Sequence, residues 1–158
     1  MKPNVFAAIA IALTMTLSAC GFQPLYAGGN VSGPIVVEEI EGPTGHTLRK
    51  ALIQELSPGL PGLEGGATLT VILDDKLNRL ALRPDEAASR TDVIGEAEYV
   101  LATADTAISG EVRAETAYNV PDAPFADVTA QVDASQRVMT VLARKIVDDM
   151  RLKLAETE

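Results

Sequence analysis

The chain has 158 residues, with 22 Asp and Glu against 13 Lys and Arg, for a formal net charge of -9. That length fits one domain with a short appendage, and a hydrophobic share of 47% supplies a packed core rather than a disordered chain. The acidic balance argues against a nucleic-acid partner, which needs a basic footprint. One His and one Cys rule out a disulfide framework and a His- or Cys-rich metal site within one chain.

Residues 1–19 read as an export signal. Lys2 gives a positive start, and Val5 to Leu17 is an uncharged run of 13 residues. As a helix it would measure roughly 20 Å, too short for a bilayer core of about 30 Å. It fits the apolar region of a secretory signal that ends in small residues. Leu17-Ser18-Ala19-Cys20 resembles a bacterial lipobox, which would make Cys20 the lipidated residue. Lipidation would also account for a lone Cys, since an unpaired thiol is a liability in an exported chain. Two or three acyl chains would hold such a protein stably on a membrane. Gly21 after the Cys is no acidic retention signal, so export to the outer membrane, on its periplasmic side, is expected.

Residues 20–33 read as the lipidated Cys and a flexible tether, rich in Gly, with Phe22, Leu25 and Tyr26 unusually apolar for a free linker. A first strand is expected over Pro34–Ile40, broken by Gly42-Pro43. A helix from Thr44 as N-cap to Leu56 follows, with Leu48, Leu52 and Leu56 on one stripe and Ile53 beside them. The Pro- and Gly-dense stretch to Gly66 is loop. Alternation predicts a strand from Ala67 to about Arg83, a connection at 84–88, and a strand over Thr91–Thr103. In the latter, Val93, Ala97, Tyr99 and Leu101 oppose Glu96 and Glu98. A hairpin at Asp105 leads to a strand over Thr106–Tyr118, where Ile108, Val112, Ala114 and Tyr118 oppose Ser109, Glu111, Arg113 and Glu115. The charged faces imply a sheet covered on one side only. A last helix is expected from Pro124, with Asp122 as a candidate cap, and it runs to the C-terminus. Its apolar stripe is Phe125, Val128, Val132, Met139, Leu142, Ile146 and Met150, and Asp149 can pair with Lys153. The expected fold over residues 34–158 is a single α+β domain: two helices packed on one face of a four-stranded, mainly antiparallel sheet, in the order β-α-β-β-β-α.

No motif for catalysis, no phosphate loop and no metal or cofactor signature stands out, so a non-enzyme is expected. His46 has nothing nearby to complete a triad and reads as a surface or capping residue. Asp74 and Asp75, as neighbours on a strand, point to opposite faces and do not converge. One cluster rises above this background. Lys76, Arg79, Arg83 and Arg90 fall within fifteen positions. Arg binds phosphate bidentately even in mixed surroundings; the alternative is a solvated hairpin with internal ion pairs of little worth.

The segment Leu17-Ser18-Ala19-Cys20-Gly21-Phe22-Gln23-Pro24-Leu25-Tyr26-Ala27 resembles the start of the lipopolysaccharide-assembly lipoprotein family, LptE, in its alphaproteobacterial form. The likeness extends through Ala88-Ser89-Arg90 and the run Gly110 to Val120 to the long helix opening at Phe125-Ala126. It implies a lipoprotein of the outer membrane that plugs an LptD-like β-barrel, helps it assemble and supports lipopolysaccharide transport to the cell surface. In that setting Lys76, Arg79, Arg83 and Arg90 are the candidate contacts for lipopolysaccharide or the barrel, and neither cofactor nor metal is implied. An auxiliary lipoprotein of an ABC-type lipid transporter is the alternative.

Overall fold

The computed structural model describes residues 33–63, 65–82 and 88–157. The elements are β1 (Ile35–Val37), α1 (Gly42–Glu55), β2 (Ala67–Leu82), β3 (Ala88–Ala102), β4 (Ala107–Asn119) and α2 (Pro124–Thr157). They form one four-stranded sheet in the order β1-β2-β3-β4. This is the expected α+β architecture, with the helices packed on the sheet.

The strand pairings follow from the connections. The turn between β3 and β4 is tight: Thr103 N–H donates to the Thr106 carbonyl at 2.8 Å, so these strands are antiparallel. β2 and β3 are also antiparallel, pairing from Thr68↔Ala102 to Leu82↔Ala88. β1 reaches β2 through α1, and a helical crossover returns the chain in the same direction, so Ile35–Val37 pairs in parallel with Ala67–Leu69.

The alternating patterns resolve as expected. Leu69, Val71, Val93, Ala97, Tyr99, Leu101 and Ala114 are buried on one face of the sheet. Leu48 and Leu52 of α1 and Leu56 at its C-cap join them with Val138, Met139, Leu142, Ile146 and Met150 of α2, making a single core. Burial of each such side chain contributes about 1.5–3 kcal/mol. α2 passes over β3 at Gly95, where a Cβ would come within 3.0 Å of Val138 Cγ1 and 3.1 Å of Met139 Cε. The expected Asp149–Lys153 pair forms, at 2.8 Å.

Several local expectations are corrected. β1 is shorter than Pro34–Ile40, because Glu38 N–H closes on the Leu69 carbonyl and the chain then turns away with Ile40 into the core. α1 begins before Thr44. Pro43 occupies its first turn, where no N–H is needed, and Glu41 is the N-cap without a side-chain bond. Ile53 is 48% exposed and so lies off the buried stripe. Phe125, Val128 and Val132 are 86%, 59% and 51% exposed and lie outside the core. The cause is a difference in length. α2 has 34 residues, about 51 Å, and α1 has 14, about 21 Å. Thr44 Oγ1 bonds Asp75 Oδ1 at 3.1 Å, so α1 starts level with the middle of β2, and the first turns of α2 run on beyond it.

Candidate functional site

The sheet face away from the helices is bare, and its rows can be read across from the register. Thr70, Val100 and Ser109 form one row, followed by Ile72, Glu98 and Glu111, then Asp74, Glu96 and Arg113, then Lys76, Ile94 and Glu115. Chain order therefore sorts the surface. Towards β1 it mixes exposed apolar side chains, Val36, Ile72 and Val100 at 59%, 67% and 44%, with the carboxylates of Glu98 and Glu111. In the middle it carries a ladder of ion pairs. Lys76 Nζ lies 2.5 Å from Asp74 and 3.5 Å from Glu96, while Arg113 reaches Glu96 at 2.9 Å and Glu115 at 3.1 Å. The hydrogen bond and charge of Asp74, with a smaller part from Glu96, raise the pKa of Lys76. Such exposed pairs add little stability singly. Together they make the middle of this face a polar plate.

The predicted cation cluster is divided by this geometry. Lys76 and Arg90 are on the bare face and both are engaged by carboxylates, Arg90 by Asp92 at 3.3 Å. Arg79 projects from the helix-side face of the same strand and has no ion pair among the described residues. It stands beside Leu77, in the part of the sheet that α1 leaves uncovered. Arg83 lies outside the described residues, as do Cys20 and the tether from 20 to 32. Asp74 and Asp75 point to opposite faces, one to Lys76 and the other to Thr44. His46 is exposed on α1. Among the described residues no group of acidic, His and Cys side chains is placed to hold a metal, and no helix is long and apolar enough to cross a membrane.

Distance along the sheet separates two ends. The chain enters the domain at Ile35, beside Ala67. At about 3.3 Å per residue, Lys76 lies about 30 Å and Arg79 about 40 Å further along β2. The start of α2 is at this far end too, since Asn119 pairs beside Arg90.

A polar lock fixes α2 to the sheet, and sequence reading saw only one half of it. Tyr99 Oη donates to Asp149 Oδ2 at 2.5 Å, and Lys153 Nζ bonds the Ser109 carbonyl at 2.6 Å. Burial and the Asp149 carboxylate push the Tyr99 pKa up. Burial opposes ionisation of Asp149, but the bonds from Lys153 and Tyr99 outweigh it, and its pKa is lowered. The lock lies against the β4 backbone at Gly110, where a Cβ would overlap Lys153, Asp149 and Tyr99. Arg113 was the other omission from the predicted contacts. Its signal was present, since Glu111, Arg113 and Glu115 alternate on one wet face.

This architecture, two helices over one side of a mixed four-stranded sheet with the other side bare, is shared with bacterial lipoproteins. A protein of Caulobacter crescentus CB15 described as a candidate lipoprotein is 26% identical, with a TM-score of 0.58, over 77% of this chain and 90% of that one. Rare lipoprotein B from Shewanella oneidensis is 14% identical with a TM-score of 0.60, over 78% and 96% of the two chains. A lipoprotein B from Nitrosomonas europaea is 17% identical with a TM-score of 0.53, over 87% and 92%. No family model matches the chain, and no curated protein matches it.

Proposed function

We propose that this protein is a non-catalytic lipoprotein, anchored in the outer membrane through Cys20, that plugs an LptD-like β-barrel from the periplasmic side. It assists assembly of that barrel and so supports passage of lipopolysaccharide to the cell surface. The resemblance of the segment from Leu17 to Ala27 supports the family, and the fold shared with lipoproteins supports the anchored state. The observation that carries the reading is the bare sheet face. A large barrel has a polar lumen, and the ion-paired middle of this face presents polar groups that can lie against it. The plate carries more acids than bases, which turns it towards a lumen wall rather than towards a polyanionic lipid. Any lipid phosphate is met instead by Arg79, with Arg83 beside it in sequence.

Purification of the lipidated full chain from outer membranes, with identification of what accompanies it, tests this reading. A large β-barrel is the expected partner. An inner-membrane permease or a substrate-binding protein would instead favour the ABC-transporter alternative. Mass spectrometry should find two or three acyl chains on Cys20, and a bare thiol there would remove the anchor. Charge reversal of Arg79 and Arg83 together should weaken capture of lipopolysaccharide, and unchanged capture would discard this contact.

A further inference from the structure

The two edges of the sheet are finished differently. An open edge exposes N–H and C=O groups that template pairing with another chain, and folded proteins guard such edges, often with Lys. On β4 the carbonyls of Arg113 and Ser109 accept from Lys145 Nζ at 2.8 Å and from Lys153 Nζ at 2.6 Å. Both lysines rise from α2, so the helix itself closes that edge. On β2 the neighbouring strand ends early: β1 covers only Ala67 to Leu69. Ala67 N–H and the Leu69 carbonyl bond towards β1. By the alternation of a strand, the backbone groups of Leu73, Asp75, Leu77 and Arg79 point the same way. Among the described residues no side chain bonds to them. Leu77 is 46% exposed on this edge, and among the described residues Asp75 has no cation beside it and Arg79 no anion.

We propose that this edge pairs with a second copy of the chain, antiparallel about a two-fold axis at Leu77, joining two four-stranded sheets into one of eight strands. The register is chosen by charge. With the axis at Leu77, Leu77 faces Leu77 of the partner subunit, and Asp75 of each copy faces Arg79 of the other. All three residues are odd-numbered on one strand, so both ion pairs and the leucine contact share the helix-side face. Moving the axis to Asp75 or to Arg79 sets like charges against each other, and moving it to Lys76 opposes two lysines. Only the Leu77 register pairs both orphan charges at once, which a closed two-fold assembly does twice. This surface is separate from the bare face, but it uses Arg79, which is also the proposed lipid contact; trapping at Leu77 reads the dimer without involving that contact.

The full chain in detergent is the material for the test. Residues opposed across an antiparallel pair have Cα atoms about 4.5–5.5 Å apart, within reach of a disulfide. Mild oxidation should therefore trap Leu77→Cys as a covalent dimer. Leu80→Cys, also exposed but facing Asp74 of the partner subunit, should stay monomeric, and the unsubstituted chain controls for Cys20. By light scattering the native chain should be a dimer. Arg79→Asp should raise its dissociation constant about tenfold or more, because two attractive pairs become two repulsive ones. Asp75→Arg combined with Arg79→Asp should restore the dimer, and circular dichroism checks that each variant is folded. A native chain that is monomeric at every accessible concentration overturns the proposal. So do equal trapping at Leu77 and Leu80, a charge swap that restores nothing, and trapping of Leu77→Cys onto a different protein.

Discussion

Tyr99→Phe removes one oxygen from the interior and leaves the ring in place, so it isolates a single bond. Tyr99 is 1% exposed, and its hydroxyl donates to Asp149 across 50 residues of sequence. A hydrogen bond to an ionised acceptor contributes about 1.5–3 kcal/mol. No cavity opens, because the ring volume is kept. Asp149 retains Lys153 at 2.8 Å, and with its side chain 29% exposed it can recruit water. Both facts place the loss at the lower end, about 1.5 kcal/mol. For a domain of this size that is a fall of roughly 6 °C in Tm. Urea unfolding followed by circular dichroism at neutral pH measures it. The difference between native and variant should shrink in acid, once Asp149 is protonated. A loss under about 0.5 kcal/mol, no larger than a neutral surface change, or a loss independent of pH, would refute the assignment of a charge-assisted bond that ties α2 to β3.

Three further outcomes are expected. Gly95→Ala would bring a Cβ to 3.0 Å from Val138 Cγ1 and 3.1 Å from Met139 Cε, so those side-chain ends must give by a few tenths of an ångström; the expected loss in the same unfolding assay is about 1 kcal/mol. Phe125→Ser should change stability by less than about 0.5 kcal/mol, since the ring is 86% exposed, and a larger loss would mean that the start of α2 is covered after all. Stability should also fall at both ends of the pH scale. The lowered pKa of Asp149 means that its contribution is present above the unfolded value of about 4 and is lost as pH drops through the folded one. The raised pKa of Tyr99 means that its contribution is complete below about pH 10 and is lost above it, because the unfolded tyrosine ionises first. Tyr99→Phe should abolish the alkaline part attributable to this group, and a pH titration of the unfolding midpoint reads both.

Sequence by itself determined which side chains share a face. Period-two alternation in β3 put Val93, Ala97, Tyr99 and Leu101 opposite Glu96 and Glu98, and the three-and-four spacing from Met139 to Met150 marked the buried side of α2. Faces of one element follow from its own backbone geometry, so a short window suffices to read them. The same geometry separated Asp74 from Asp75. Whether a face finds cover is settled elsewhere in the chain. Phe125, Val128 and Val132 continue the stripe of α2, yet they are exposed because α1 is shorter and begins level with Asp75. The parallel pairing of β1, the closing of the β4 edge by Lys145 and Lys153, and the meeting of Tyr99 with Asp149 all join residues far apart in sequence. The cation cluster shows both regimes. Alternation along β2 already put Lys76 and Arg79 on opposite faces and Lys76 beside Asp74, but only the register brought Glu96 between Lys76 and Arg113. Contacts of that kind depend on how separate elements are laid against one another, and no local period encodes it.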